Sequence, residues 1–469
     1  MSDAVDSGSQ SLPSSVGLLA VLALVVGNAI SVPIFVLTGP LAGDAGPAVI
    51  LAAILASIPA GFVVLYNALL GSAMPVAGGL YVYISRLTAP FWGFLVPFTI
   101  PLVAWAALLI TAVGFAEFTN VILAAVPQVP TLSMTVLIYV LLCFVLVINL
   151  VGLRLVAQLQ LILVVGLVVT LLIFIIPGST AVDFSNYTPF FPDHGAFALA
   201  AVALFYPFLG FGLLVELGEE IDNPSWTIPV ALFVGIGIVV AFYVALIAVL
   251  VGVMPYTQLG SEGDLATAAG VFLPSWGPLV IAIGAIFAVI TSVNTSLLVF
   301  SRTIMRAGRD GILPDSLSSV HPRFGTPHVS ILVLGIPPLL LVPIAQDIVG
   351  LSAFIGLASL TAYFFSAIGL WNLPKEFPAH YETARFSLRR YRGLLLAVLG
   401  GALATAAFWA ITLLQRPEIG LLLVGWFGVG YVYYRYRLRK TDSVHMYRKM
   451  TTLDAHEAAT AHERSDGGE

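Results

Sequence analysis

Apolar residues gather into twelve long runs, separated by shorter stretches that carry most of the charge. The runs lie near 16–42, 47–71, 84–124, 133–151, 154–177, 195–217, 227–254, 277–305, 328–345, 347–372, 393–414 and 418–436. A helix of roughly 20 apolar residues crosses a bilayer, and the third run is long enough to add an interfacial portion. An acidic, aromatic loop occupies 178–194, and a second polar connection occupies 255–276. The pattern predicts an all-α integral membrane protein of twelve transmembrane helices.

Two of the runs are interrupted. Val25–Phe35 (VVGNAISVPIF) places Gly27, Asn28, Ser31 and Pro33 near the middle of the first run. Irregular backbone at bilayer depth leaves N–H and C=O groups without water, so it is tolerated where protein covers it or where it lines a cavity. The sixth run carries a second interruption, from Phe205 through Pro207 and Gly210 to Gly212. These interruptions open two successive groups of five runs, 16–177 and 195–372. Five is odd, so the second group starts from the opposite side of the membrane, the inverted-repeat plan of many secondary transporters. The expected organisation is a cytoplasmic tail over 1–15, a first repeat over 16–177, an external loop over 178–194 and a second repeat over 195–372. A cytoplasmic connection with two appended helices follows over 373–439, and a polar cytoplasmic tail over 440–469.

Composition and charge sharpen this reading. Of the 469 residues, 59% are hydrophobic and 9% charged, against about 25% charged in a soluble domain. With the amino terminus inside, eighteen of the nineteen Lys and Arg residues fall on the cytoplasmic side and Arg416 falls outside, which follows the positive-inside bias. Both termini are therefore expected in the cytoplasm, with the chain in a plasma or inner membrane. Topology accounts for the basic residues, so no nucleic-acid partner is expected; the lipid bilayer and a small-molecule substrate are. The start, MSDAVDSGSQ, has no positive charge and predicts no cleaved leader. Cys143 is the single cysteine, which rules out an internal disulfide. No His falls in the interior of a run, His328 standing at the first residue of the ninth, and no Ser/His/Asp cluster, phosphate loop or paired-Cys motif is present. The reading is of a chain that is not an enzyme and has no resident cofactor, with Na⁺ or H⁺ as the coupling ion.

Candidate chemistry collects at the two interruptions. A helix restarting near Val32–Pro33 would be capped by Ser31, its positive end facing the gap. Pro33 suits a first helical turn, though it offers no amide to a bound carboxylate. Asn28, Ala29, Ile30, Ser31, Val32 and Pro33 form the first half of the expected substrate site; Phe205, Tyr206, Phe208 and Gly210 form the second. Pro207 disfavours helical geometry at Tyr206, and Gly210 and Gly212 add freedom. Tyr206 is expected to close over the substrate as a gate, so that Tyr206→Ala impairs transport more than Phe300→Ala. In the eighth run, Thr291, Ser292, Asn294 and Thr295 offer oxygens to a Na⁺ ion that Asn28 and Ser31 would help to hold. Glu216 and Glu117 are the intramembrane acids open to H⁺ coupling.

Four blocks, in order, resemble the amino acid–polyamine–organocation superfamily of amino acid permeases. The first is ISVPIFVLTGPLAGDAGP, from Ile30 to Pro47. The second runs from Met74-Pro75 through Gly78-Gly79, Tyr81 and Tyr83 to Arg86. The third is Gly210-Phe211 followed by Glu219-Glu220, Asn223-Pro224 and Ile228-Pro229. The fourth is Asn294 to Arg302, then Arg309-Asp310-Gly311, Pro314 and Gly325-Thr326-Pro327. The resemblance covers about 16–440. It implies a secondary active transporter that takes up amino acids or related small organic amines by alternating access, coupled to a cation. An exchanger and a non-transporting nutrient sensor of the same fold are the alternatives. The family's first helix usually reads IGxGIF, its glycine amides holding the substrate carboxylate; here Ser31 and Pro33 stand at the glycine positions. Many members have GFE in the sixth helix, where this chain has Gly210-Phe211-Gly212. The lysine that some members carry in the fifth helix in place of sodium has no counterpart near Gly166-Leu167.

Overall fold

A computed structural model describes residues 17–75, 79–151, 155–344, 347–388 and 391–440, without the side chains at 155–161, 213, 216–220, 294–296, 298, 344, 391 and 440. Both terminal tails of the expected organisation lie outside the described residues, apart from the last residue of α17. Among the described residues every regular element is helical, and nine spans are long and apolar enough to cross a bilayer.

The first run folds as three pieces, α1 (Leu18–Ala29), α2 (Val32–Val36) and α3 (Thr38–Ala45), and the second as α4 (Val49–Ala73). The third divides into a short α5 (Gly79–Leu87) and a long α6 (Pro90–Ala124). The division falls at Ala89, which is extended because it precedes Pro90, the first residue of α6. Next come α7 (Met134–Val151), α8 (Leu155–Thr180) and α9 (His194–Ala203), then a 3₁₀ segment, Tyr206–Glu220. After α10 (Pro224–Val253), the polar connection at 255–276 contains a short helix, α11 (Asp264–Phe272). The remainder is α12 (Gly277–Arg309), α13 (His328–Leu341), α14 (Ile348–Glu376), α15 (Pro378–Thr383), α16 (Tyr391–Gln415) and α17 (Pro417–Lys440). Asp193 caps α9 by accepting from the amides of Gly195 (2.7 Å) and Ala196 (2.9 Å). Those two bonds hold its carboxyl below the usual carboxylate range.

The heaviest packing pairs α4 with α10 and α6 with α12; α1 lies against α10 and the 3₁₀ segment, and α2 against α6. Large side chains such as Phe144, Leu403 and Leu421 point outward from α7, α16 and α17, a surface suited to lipid and not to water.

Prolines inside these helices free carbonyl groups, and neighbouring helices take them up. Pro337 cannot donate to the carbonyl four residues back, and Trp105 Nε1 of α6 donates to that Val333 oxygen at 3.0 Å. Pro229 frees the Ser225 carbonyl in the same way. Ser72 Oγ donates to it at 2.9 Å, and Ser225 Oγ returns a bond to the Ser72 carbonyl at 2.9 Å. One consequence of helix breaking is therefore interhelical bonding. Trp105→Phe strands the Val333 carbonyl and is expected to cost about 1–3 kcal/mol. Thermal unfolding in detergent would read this as a lower midpoint; an unchanged midpoint would mean that the carbonyl finds another donor.

The second and fourth sequence blocks meet in the fold. Tyr81 of α5 donates its hydroxyl to Asp310 Oδ2, and Arg86 Nη1 lies 3.9 Å from the same oxygen. Arg306 Nε stands 3.7 Å from Asp310 Oδ1. Just beyond Asp310, Arg437 of α17 donates from Nη2 to the carbonyls of Gly311 (2.6 Å) and Leu313 (3.1 Å). These bonds fasten α5 and α17 to the end of α12.

Candidate substrate site

The first interruption is a two-residue gap. α1 ends at Ala29, Ile30 and Ser31 leave helical geometry, and α2 starts at Val32 with Pro33 in its first turn. Ser31 takes the expected capping position, but its hydroxyl makes no capping bond. The reason is local. A capping oxygen accepts from the second or third helical amide; here the second residue is Pro33, and the third amide, Ile34, already donates to the Ser31 carbonyl at 3.1 Å. The hydroxyl is left over. The Ser31 amide has no acceptor among the described residues, and the Val32 amide, as the first of a helix, has none within it. Asn28 Oδ1 is buried without a hydrogen-bond partner.

The second interruption does not resume as an α-helix. Tyr206–Glu220 runs as fifteen residues of 3₁₀ helix, whereas such runs rarely exceed three or four residues. A 3₁₀ helix has three residues per turn, so side chains three apart share a face. Tyr206, Leu209 and Gly212 consequently line a cavity, while Phe205, Phe208 and Phe211 are fully buried on another face. The glycines serve close approach, correcting the expectation of hinge freedom. A Cβ on Gly210 would stand 2.6 Å from the carbonyl carbon and oxygen of Asn28, and one on Gly212 would stand 2.0 Å from the Tyr363 hydroxyl.

The cavity has a volume of about 170 Å³. It brings together Asn28, Ser31 and Pro33 from the first interruption, Tyr206 and Gly210 from the second, and Ser292 from α12. The other expected residues are placed differently. Ala29, Ile30 and Val32 have buried side chains that do not line the cavity. Phe205 packs edge-on against Phe408 at 6.1 Å, and Phe208 lies 5.8 Å from Tyr243 and 6.4 Å from Phe211. Thr291 is fully buried outside the lining. The Thr291 and Ser292 hydroxyls both donate to the Ala288 carbonyl, at 3.0 and 2.7 Å. The side chains of Asn294, Thr295 and Glu216 lie outside the described residues. Glu117 Oε1 stands 2.4 Å from where a Cβ on Gly263 would be, so it packs on the turn before α11 and is absent from the lining.

Sequence reasoning missed the opposite wall. Thr99 and Trp92 of α6, Phe300 of α12, and Tyr363 and Phe365 of α14 all line the cavity, and the Trp92 and Phe365 rings stack at 4.1 Å. Phe300 therefore shares the cavity with Tyr206. A signal existed for Thr99, which sits between Pro97 and Pro101. Among the described lining residues none is charged.

Comparison with known proteins agrees with this architecture. The family model described as amino acid permease matches residues 16–429. A branched-chain amino acid permease of Bacillus subtilis is 26% identical over 396 residues, covering 80% of this chain and 84% of the relative. The methylthioribose transporter of the same organism is 28% identical, covering 79% of this chain and 84% of its own length. Mouse cationic amino acid transporter 4 is 28% identical over 77% of this chain and 60% of its own length. With a match that spans most of its length and an interrupted pair of helices around one cavity, the chain belongs to the amino acid permease family, a family of membrane transporters.

Proposed function

We propose that this protein is a secondary transporter that moves an amino acid across a plasma or inner membrane by alternating access. In this reading twelve helices cross the bilayer as a five-plus-five inverted repeat with an appended pair, both termini in the cytoplasm. The observation that carries it is a cavity between the two interruptions, bordered by hydrogen-bonding groups that the helices do not use themselves. The Ser31 and Val32 amides and the Ser31 hydroxyl hold the substrate carboxylate. Asn28 Oδ1 and the last carbonyls of α1, at the negative end of that helix, take the ammonium. Ser31 thus restores the donor that Pro33 removes. Tyr206, on the cavity face of the 3₁₀ segment, closes over the bound substrate. The relatives' names span branched-chain amino acids, cationic amino acids and a thioether sugar, so the family match supports a small organic solute and leaves its side chain to the site.

Ser31→Ala is expected to raise the KM for uptake about tenfold or more with little change in kcat, the worth of one hydrogen bond to a charged group. Initial-rate uptake into proteoliposomes measures this; unchanged kinetics would remove Ser31 from the site. For coupling, Ser292 with Thr291, Asn294, Thr295 and the open carbonyls of the first interruption are the candidates for Na⁺, and Glu216 for H⁺. Imposing the two gradients separately tests this: accumulation under one names the ion. Flux only into vesicles preloaded with amino acid would support an exchanger, and binding with no flux a sensor.

A further inference from the structure

Threonines in the helices of this chain have a common habit. Thr38, Thr88, Thr111, Thr170, Thr303, Thr361, Thr405 and Thr412 each donate the hydroxyl to the carbonyl four residues back, at distances from 2.6 Å (Thr88) to 3.2 Å (Thr303). Such back-bonding is the ordinary way a helix satisfies a hydroxyl away from water. Thr99 does not follow it. Its hydroxyl has no partner, although the residue is only 7% exposed. It also lines the substrate cavity, on the α6 wall facing the elements that carry the two interruptions.

An unpaired hydroxyl in an apolar interior is unfavourable unless something pairs with it. The surrounding wall is apolar, with Leu95, Val96, Ile100 and Val103 of the same helix. No charged side chain is found among the described lining residues. A lysine or glutamate side chain would therefore enter without a counter-charge, whereas a neutral side chain loses little.

We propose that the cavity selects amino acids whose side chain is uncharged and carries one hydrogen-bonding group, and that Thr99 is the specificity-determining residue that pairs with that group. The proposal rests on the transport reading above and deepens it by naming the side-chain class. A site built to hydrogen-bond a substrate rejects the isostere lacking that group, because its own polar atom is then left unpaired.

The test is uptake into proteoliposomes with matched pairs, threonine against valine and glutamine against methionine, with lysine and glutamate as charged competitors. The wild-type protein is expected to favour the polar member of at least one pair about tenfold, the worth of one neutral hydrogen bond. Lysine and glutamate at equal concentration are expected not to compete. Thr99→Val should bring the favoured ratio to about one, and Thr99→Ser should restore it. A thermal unfolding midpoint in detergent equal to that of the wild type shows that the variant is folded. An unchanged ratio in Thr99→Val, no polar preference in the wild type, or competition by lysine or glutamate equal to that of the neutral amino acids would overturn the proposal while leaving amino acid transport standing. Failure of the wild-type protein to take up or bind any amino acid would overturn the transport reading and this proposal with it.

Discussion

Asp310→Ala is expected to destabilise the folded protein by about 3–5 kcal/mol, the cost of breaking a buried ion pair from one side. The Arg86 side chain is 1% exposed and that of Asp310 8% exposed, so neither charge can turn to water once its partner is gone. Arg86 Nε is already buried without a partner, and Nη1 is shared between Ser85 Oγ at 2.8 Å and the Asp310 carboxylate. Removing Asp310 also strips the Tyr81 hydroxyl of its acceptor. Asp310→Asn keeps an acceptor for Tyr81 but no charge for Arg86, and should fall between wild type and alanine. Arg323→Ala is the matched control. Its guanidinium sits over the Phe324 ring in an exposed turn, and its loss should stay within about 0.5 kcal/mol. Thermal unfolding in detergent ranks the three variants. Equal midpoints for Asp310→Ala and Arg323→Ala would show that the α5–α12 contact is solvated and carries no structural weight.

Gly210→Ala is expected to reduce uptake at least about tenfold in a protein that still folds, through overpacking worth about 1–3 kcal/mol. The added methyl would stand 2.6 Å from Asn28 C and O and 2.7 Å from Ala29 N. These are backbone atoms and cannot rotate aside as a side-chain end can. The 3₁₀ segment must back away from the first interruption, which separates Tyr206 from Ser31 and opens the groups proposed to hold substrate. Gly237→Ala makes the same chemical change in α10, where nothing lies within 4 Å of the new atom. It should be neutral or stabilising by up to about 1 kcal/mol, since alanine favours a helix over glycine. Comparing uptake per folded molecule isolates the contact. Wild-type transport by Gly210→Ala would mean that the two interruptions need not touch during the cycle.

How much of the site was legible depends on the range of the forces involved. Ser31 could be placed at a helix start from its neighbours alone. That its hydroxyl stays unused could also have been read, because Pro33 is the second helical residue and has no N–H. The 3₁₀ form of Tyr206–Glu220 could not. It assigns Tyr206 to the cavity and Phe205 and Phe208 to the core, and propensity carries no signal for so long a run. Gly210 and Gly212 looked like hinges because a glycine's local meaning is freedom; that another backbone or a tyrosine hydroxyl abuts them is a fact about distant residues. The same holds for Phe300, which has ordinary sequence surroundings.

By itself the sequence determined where the apolar helices run and where the first and sixth are interrupted. Hydropathy and the missing amide of proline act within one or two turns, so both are written locally. The tertiary structure decided which faces meet. It alone set Asp310 beside Arg86, closed Gly210 onto Asn28, and left one threonine hydroxyl unpaired in a cavity wall. Those outcomes depend on how helices distant in sequence pack, a matter of shape and distance that no single stretch of chain encodes.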